Sequence, residues 1–366
     1  MLRKIQSYLT LLDEILRVGH SLIKRDIKIY FLGNKLGHSF HRFIPSKITN
    51  KRKFEEDAFS SVKGIKRTHF IDRADILFFR NRGATTTDKM VDSLTSRTND
   101  NKLIINDIRS FSNYDSKNKS FSMWAQNNLK CPDCISFTLD EIDTTTTISK
   151  IKEFQNKYGK ILLRTNNETG SKGLFVIEGS NDINEILTKL KHRVSSLIKR
   201  RKNTKIICVE YIKPAYKDDL HRLYRVHILF NKVLSYYVTT STRNEFHNAD
   251  MRINDAKSFV SANKEFKDIL PTIKDDLIKA VNVLGCNIGA LEFFIVDGRP
   301  CFLELNPIWG GHASRGGFGD KEMMKYLNSN KDKLITSIPN IYIWLDYKSY
   351  YTKMYSIIRD YYRDSL

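Results

Sequence analysis

The segment ALEFFIVDGRPCFLELNP, residues 290–307, constrains the fold of this chain more than any other. Apolar residues dominate both sides of Asp297-Gly298-Arg299, and three polar ones interrupt them: Glu292, Glu304 and Asn306. A hairpin turning on Asp297-Gly298-Arg299 sets Glu292 opposite Glu304, with Asn306 next on the same face, because side chains alternate along a strand. The other face is then Leu291, Phe293, Ile295, Cys301, Leu303 and Leu305, an unbroken apolar set. A two-residue loop would slip the register and send the two glutamates to opposite faces. Facing carboxylates at the edge of a core repel unless something positive lies between them. Two acids and an amide offer only oxygen, which suits a hard cation such as Mg2+, typically about 2.1 Å from its ligands and shared with nucleotide phosphates. The hairpin is therefore expected to be the metal floor of a nucleotide site. Alone, an E-x-N strand is more often a solvated acidic edge; features upstream decide between the two.

The chain has 366 residues, 41% of them hydrophobic, which is enough for two or three domains with real cores. Asp13 and Glu14 interrupt the apolar positions of the first helical pattern, and no run reaches membrane-spanning length, so the expected location is cytoplasmic. Five cysteines, an odd number, do not make a disulfide framework. Cys131-Pro-Asp-Cys134 has no second pair or histidine cluster to complete a zinc site. Cys208, Cys286 and Cys301 fall in apolar segments and read as core. The formal charge of +20, densest over 191–205, attracts polyanions: nucleotide, nucleic acid, acidic peptide or glycan, or an anionic membrane surface. The aromatic and glycine signatures of an RNA-binding sheet are missing, so specific nucleic-acid binding is not expected.

Helical spacing over 2–23, apolar runs at 27–33, 74–81 and 102–107, and a helical pattern from Asp88 alternate as in a parallel α/β layer. The polar stretch from Asn34 to Arg67 reads as loop with short pieces of structure. Beyond residue 117 come a helix ending before Cys131-Pro132, a strand at 135–142 leading into a threonine loop, and a helix to Gly159. KILLRT and GLFVIEG then flank a glycine loop, a helix reaches Arg200, and strands follow at 206–212 and 223–241, the latter hinged at Asn231-Lys232. A helix from Ile269 leads into the hairpin described first. The last segment puts Tyr347, Tyr350, Tyr351, Met354, Ile358 and Tyr361 on one helical face, suited to packing on the domain or a partner subunit, or to peripheral membrane contact.

A strand cation followed by a glycine-containing loop lets backbone N–H groups approach phosphate oxygens. Here that combination is Arg164 followed by Gly170, Ser171 and Gly173. With the E-x-N hairpin and the strand VEYIK at 209–213, it resembles the ATP-grasp superfamily, the fold of D-alanine:D-alanine ligases, glutathione synthetases and glutamate-adding peptide ligases, over residues 100–320. The resemblance implies an α/β (α+β) fold in which an N-terminal parallel domain (1–110) precedes two subdomains that clasp ATP (111–204 and 205–325), with a helical extension (326–366). It implies that Glu292, where many members have Asp, binds two Mg2+ ions with Glu304 and Asn306. Arg164 stands for the usual strand lysine, and the glycine loop closes over the β- and γ-phosphates. Glu210, Tyr211 and Ile212 meet adenine, and Asp219 the ribose. A lysine opening the helix after Asn106-Asp107 reaches ATP; spacing favours Lys117, and the N-K dipeptide favours Lys119. Arg225 or Arg222 faces the γ-phosphate and acyl intermediate, and alternation favours Arg225, which shares a face with His227. Gly311, His312 and Arg315 follow the metal hairpin and suit a substrate carboxylate.

The implied activity is ATP-dependent ligation of a carboxylate to an amine through an acyl phosphate, giving an amide. Phosphoryl transfer without ligation uses the same cradle, and a basic nucleotide-binding scaffold without ligase activity is the reading from another class. The basic surface, with Arg80 and Arg82 after a strand, suggests a small molecule, peptide or uronic-acid glycan bearing a carboxylate. Family habit points to a homodimer.

Overall fold

The computed structural model describes residues 29–33, 58–60, 75–80, 86–96, 102–142, 144–168, 173–179, 183–199, 201–213, 216–217, 220–242, 251–307, 320–338 and 347–365. The helix expected over 2–23 lies outside them.

The front layer is parallel, as the strand–helix alternation predicts. Strands β1 (Ile29–Gly33), β2 (Ala58–Ser60), β3 (Ile76–Arg80) and β4 (Leu103–Ile105) run in the order β2-β1-β3-β4. Helix α1 (Asp88–Thr95) lies between β3 and β4 in the chain. Ile76 to Phe79 are all buried, the continuous apolar run expected of a strand covered on both faces.

Helices α2 (Phe111–Asp115) and α3 (Lys117–Gln126) carry the chain onward. Trp124 of α3 is fully buried, and its indole N–H donates to the Ala280 carbonyl at 2.8 Å, so a large apolar surface is sequestered without stranding its one donor.

Strands β5 (Cys134–Phe137), β6 (Lys160–Thr165), β7 (Leu174–Glu178) and β8 (Ile206–Glu210) form an antiparallel sheet in the order β5-β8-β6-β7. With helices α4 (Thr145–Tyr158) and α5 (Ile183–Ile198) it builds its own core around Ile151, Ile161, Leu163, Leu190 and Val194. Strand β8 thus completes the second segment's sheet instead of opening the third. The expected strand over 135–142 is shorter: after β5 the chain enters a 3-10 turn at Leu139–Glu141, closed by a capping box between Thr138 and Glu141. Nor are the threonines that follow a loop. Thr144 caps α4 by accepting from the Thr147 N–H, and the next three residues form the first helical turn.

The largest sheet is antiparallel: β10 (Leu220–Leu229), β11 (Lys232–Ser241), β12 (Ile288–Val296) and β13 (Arg299–Asn306) run in the order β11-β10-β12-β13, with β9 (Tyr216–Lys217) paired to β10. Helix α6 (Ala256–Val283) packs on one face. It begins well before the expected Ile269, because Phe259, Ala262, Phe266, Leu270, Ile273 and Leu277 continue one buried stripe through Pro271. Between β10 and β11 the turn residues are Phe230 and Asn231, both at positive φ (43° and 63°), rather than Asn231-Lys232.

Helices α7 (Lys321–Ser329), α8 (Lys331–Ser337) and α9 (Tyr347–Asp364) follow. The described part of the α9 stripe packs on this same domain: Met354 and Ile358 are buried, and Tyr361 stacks on Phe230 with ring centroids 3.9 Å apart, while the side chains of Tyr347, Tyr350 and Tyr351 lie outside the described residues. No helix among the described residues is long and apolar enough to cross a membrane.

Candidate active site

The β12–β13 hairpin has the predicted pairing at its open end and a different turn. Glu292 lies opposite Glu304, Leu291 opposite Leu305 and Ala290 opposite Asn306. Towards the turn Phe293 meets Phe302 and Val296 meets Arg299, leaving a two-residue loop of Asp297 (φ 54°) and Gly298 (φ 75°). That loop should have separated the glutamates. A bulge at Leu303 restores them to one face by inserting a residue into β13 alone. The inward set changes accordingly: Phe302 joins Phe293 in the core, while Leu303 is only half-buried.

Each carboxylate meets a cation from another element. Arg225 lies directly opposite Glu292 across β10–β12, and its Nη1 is 2.6 Å from Glu292 Oε1. Burial pulls the Arg225 pKa down, but Tyr237, its partner across β10–β11, and Glu292 outweigh it and hold it above the usual value. Lys117, at the first turn of α3, reaches Glu304 at 3.4 Å with its side chain almost wholly buried. Burial lowers its pKa, and Glu304 offsets part of that cost. Arg164, near the end of β6, is also lowered by burial and partly compensated by Glu304 and Glu168. The Lys119 Nζ instead donates to Ser112 Oγ at 2.8 Å on an exposed surface.

Residues that local sequence patterns do not mark hold these cations in place. Asn166, immediately after β6, accepts from the Asn118 N–H (2.9 Å) and donates to Ser116 Oγ (2.7 Å), stapling the start of α3 to the end of β6. Lys117 and Arg164 are brought together by that staple. Glu168 acts at two levels. Its carbonyl accepts from Arg164 Nη2 at 3.0 Å and from Lys117 Nζ at 3.4 Å. Its carboxylate is gripped by Arg193 of α5 in a bidentate pair (2.8 and 3.0 Å) and accepts from Thr165 Oγ1 at 2.7 Å. Burial pushes this carboxyl up, yet Arg193 and Thr165 outweigh it and keep it below its ordinary range. Gly173, at φ 65°, closes over the pair; a Cβ there would sit 2.7 Å from Arg193 Nε and 2.8 Å from Glu168 Oε2.

The densest basic segment is partly structural. Arg201 is buried with Asp115 (3.3 Å) and Asp88 (3.9 Å), its guanidinium 4.3 Å from the Phe111 ring centroid, and Asp115 accepts from Asn167 Nδ2. This network ties the front layer to the loop after β6. Asn106 does the same for the hairpin. Buried at φ 53°, it accepts from the N–H groups of Asn287 and Ile288 and donates to the Pro307 carbonyl just past β13.

Ile161 pairs with Glu210 and Arg164 with Ile207, so the end of β8 and the strand cation are about 10 Å apart, three residues of extended chain. One Glu210 carboxylate oxygen already accepts from the Asp133 N–H at 3.0 Å. The Lys160 ammonium sits 4.5 Å from the Tyr211 ring centroid, and Ile212 is half-buried. Arg222 is not brought to the site. It lies on the opposite face of β10, against α6, with Nη1 2.6 Å from Glu265 Oε2; the alternation that favours Arg225 is what separates them. Gly170, Ser171, Asp219, Gly311, His312 and Arg315 lie outside the described residues, as do Arg82 and the side chain of Arg80.

No family model matches the chain, and no curated protein matches it. Solved structures do. D-alanine–D-alanine ligase from Bacillus anthracis is 12% identical over 85% of this chain and 96% of its own, with a TM-score of 0.48. The ATP-grasp ligase PsnB, bound to a minimal precursor, is 13% identical over 85% of this chain and 100% of its own, at 0.48. A RimK-domain ATP-grasp protein from Sphaerobacter thermophilus is 11% identical over 85% and 97%, at 0.46. The likeness is to ATP-grasp proteins.

The donor set suits a hard divalent ion. Among the described residues no cluster of three or more His, Cys, Asp or Glu side chains could hold a metal. The expected set is the two facing carboxylates and the amide of Asn306, two residues along β13 from Glu304, all oxygen, with Arg225 and Lys117 beside the two acids.

Proposed function

We propose that this chain is an ATP- and magnesium-dependent ligase of the ATP-grasp type, which joins a carboxylate to an amine. One observation carries the reading: Glu292 and Glu304 lie opposite each other beside cations delivered by β10 and α3, with Arg164 of β6 close by. Structural ion pairs do not require two like charges to converge. A site for a polyanion and its metal does.

The chemical problem is repulsion, since a nucleotide triphosphate must meet a second anion. Lys117 and Arg164, aligned by the Glu168 carbonyl, bind phosphate oxygens with their remaining N–H groups. Arg225, held between Glu292 and Tyr237, stabilises the charge that develops at the transferring phosphoryl group. Glu292, Glu304 and Asn306 would hold Mg2+, which supplies charge neutralisation along the phosphates. Adenine lies at the end of β8, beside Glu210, Tyr211 and Ile212. The substrate carboxylate oxygen bonds to the γ-phosphorus as the bond to ADP breaks; the amine then bonds to the acyl carbon, releasing phosphate and a proton. No side-chain nucleophile is required. A peptide or small molecule bearing the carboxylate, or an acidic glycan, suits the +20 chain.

The test is phosphate release from ATP with amino acids, short peptides and sugar acids, with product mass read for a condensation that loses water. Glu304→Gln should abolish Mg-dependent turnover while leaving the thermal midpoint in place. Unchanged turnover would remove the metal assignment.

A further inference from the structure

Arg222, the alternative to Arg225 as the cation facing the reaction, is carried by the fold to the other face of β10. It lines a cavity of about 240 Å³ between the back of the β10–β11 ribbon and the start of α6, together with Leu220, Thr240, Lys257, Ser258 and Ser261. Arg222 and Thr240 are direct cross-strand partners. Lys257 and Ser258 belong to the first turn of α6 and Ser261 to the next, so their spacing sets them along the helix face that bounds the opening.

Two features of this cavity point to an anion. The first is its charge: a buried guanidinium, an ammonium and the positive end of a long helix whose N-cap Asp255 turns its carboxylate back to the Arg252 N–H and leaves the helix's own first amides uncapped by a side chain. Glu265 is the acid in this cluster, and it is already bound to Arg222 at 2.6 Å. The second is independent of charge. Thr240 is 2% exposed and its Oγ1 has no hydrogen-bond partner among the described residues, a costly arrangement for a buried hydroxyl unless something in the cavity meets it. With Ser258 and Ser261 beside it, three hydroxyl donors and two cations line a space large enough for an amino-acid-sized molecule.

We propose that this cavity is a second binding site, separate from the nucleotide site across β10, that takes a small oxyanion: a phosphate, or the carboxylate of a small metabolite. Arg222 supplies the charge that attracts it, and Thr240 with the two serines supplies directed hydrogen bonds.

Titration calorimetry on the full chain tests this with inorganic phosphate in one arm and L-glutamate in the other, so that the responding arm identifies the source of the oxyanion. Saturable one-to-one binding of either is expected. Thr240→Val, which keeps the shape and removes the hydroxyl, should weaken it about tenfold or more, the loss of one hydrogen bond to a charged group. Lys257→Gln, at an exposed position, should weaken it several-fold. Both variants should keep the wild-type thermal midpoint or, for Thr240→Val without ligand, exceed it. If neither anion gives saturable heat, the proposal fails. It fails equally if Lys117→Gln abolishes the binding while Thr240→Val leaves it intact, because the anion would then occupy the nucleotide site.

Discussion

Gly173→Ala is the most informative single substitution at the cation cluster, because two separate costs can be worked out for it. Gly173 sits at φ 65°, where an L side chain costs roughly 1–2 kcal/mol. The new Cβ would also approach Arg193 Nε to 2.7 Å and Glu168 Oε2 to 2.8 Å, so the ion pair beneath must move. Those atoms end flexible side chains. The pair therefore gives way, and since Arg193 is 38% exposed it contributes only about 0–1 kcal/mol after screening. The total is about 1–3 kcal/mol, measured by urea denaturation. A double-mutant cycle separates the two parts: in an Arg193→Met background the ion pair and its contact with the new Cβ are gone and the Glu168 carboxylate is free to move aside, so Gly173→Ala should cost less there. Nucleotide affinity should fall in the single variant, because the Glu168 carbonyl that aligns Lys117 and Arg164 moves with its carboxylate. A cost below about 0.5 kcal/mol, or strict additivity with Arg193→Met, would refute the coupling between Gly173 and that ion pair.

Asn106→Ala should destabilise by about 2–4 kcal/mol in chemical denaturation, since it strands one buried and one half-buried amide donor at the hairpin and leaves alanine at φ 53°. Lys117→Gln should weaken nucleotide binding about tenfold or more, whereas Lys119→Gln should leave it within about twofold, as read by equilibrium titration. The Glu168 carboxyl is held below its unfolded value, so it contributes stability above the ordinary carboxylate range, and that stability is lost as pH falls through the folded value. The stability difference between wild type and Arg193→Met should accordingly be present at neutral pH and close on acidification. A difference that persists to low pH would assign it to packing.

Most of the hairpin is legible in sequence because alternation is a strong constraint. Once Leu291, Leu305 and their neighbours are committed to a core, the facing of Glu292 and Glu304 follows. The bulge at Leu303 is not legible, because Asp297-Gly298-Arg299 accommodates either loop length and only the tertiary sheet decides where the extra residue goes. Alternation also separates Arg225 from Arg222 before any coordinates. The supporting groups stay hidden for a different reason. Asn166 and Glu168 act on residues dozens of positions away, and nothing local in T-N-N-E-T distinguishes a staple from a solvated turn. Arg201 is hidden by its neighbours: inside K-R-R-K it reads as surface charge, yet it is buried between two aspartates. Pro271 misleads in the opposite sense, since proline suits a first helical turn and here lies well inside a helix that began at Ala256.

The central claim is that Glu292, Glu304 and Asn306 converge on a metal-loaded nucleotide. Calorimetric titration with a non-hydrolysable ATP analogue, with and without Mg2+, tests it most directly. Wild-type protein should bind far more tightly with Mg2+, and Glu304→Gln should lose that gain while retaining its fold. Equal affinity with and without Mg2+, or a Mg2+ gain untouched by Glu304→Gln, would contradict the account.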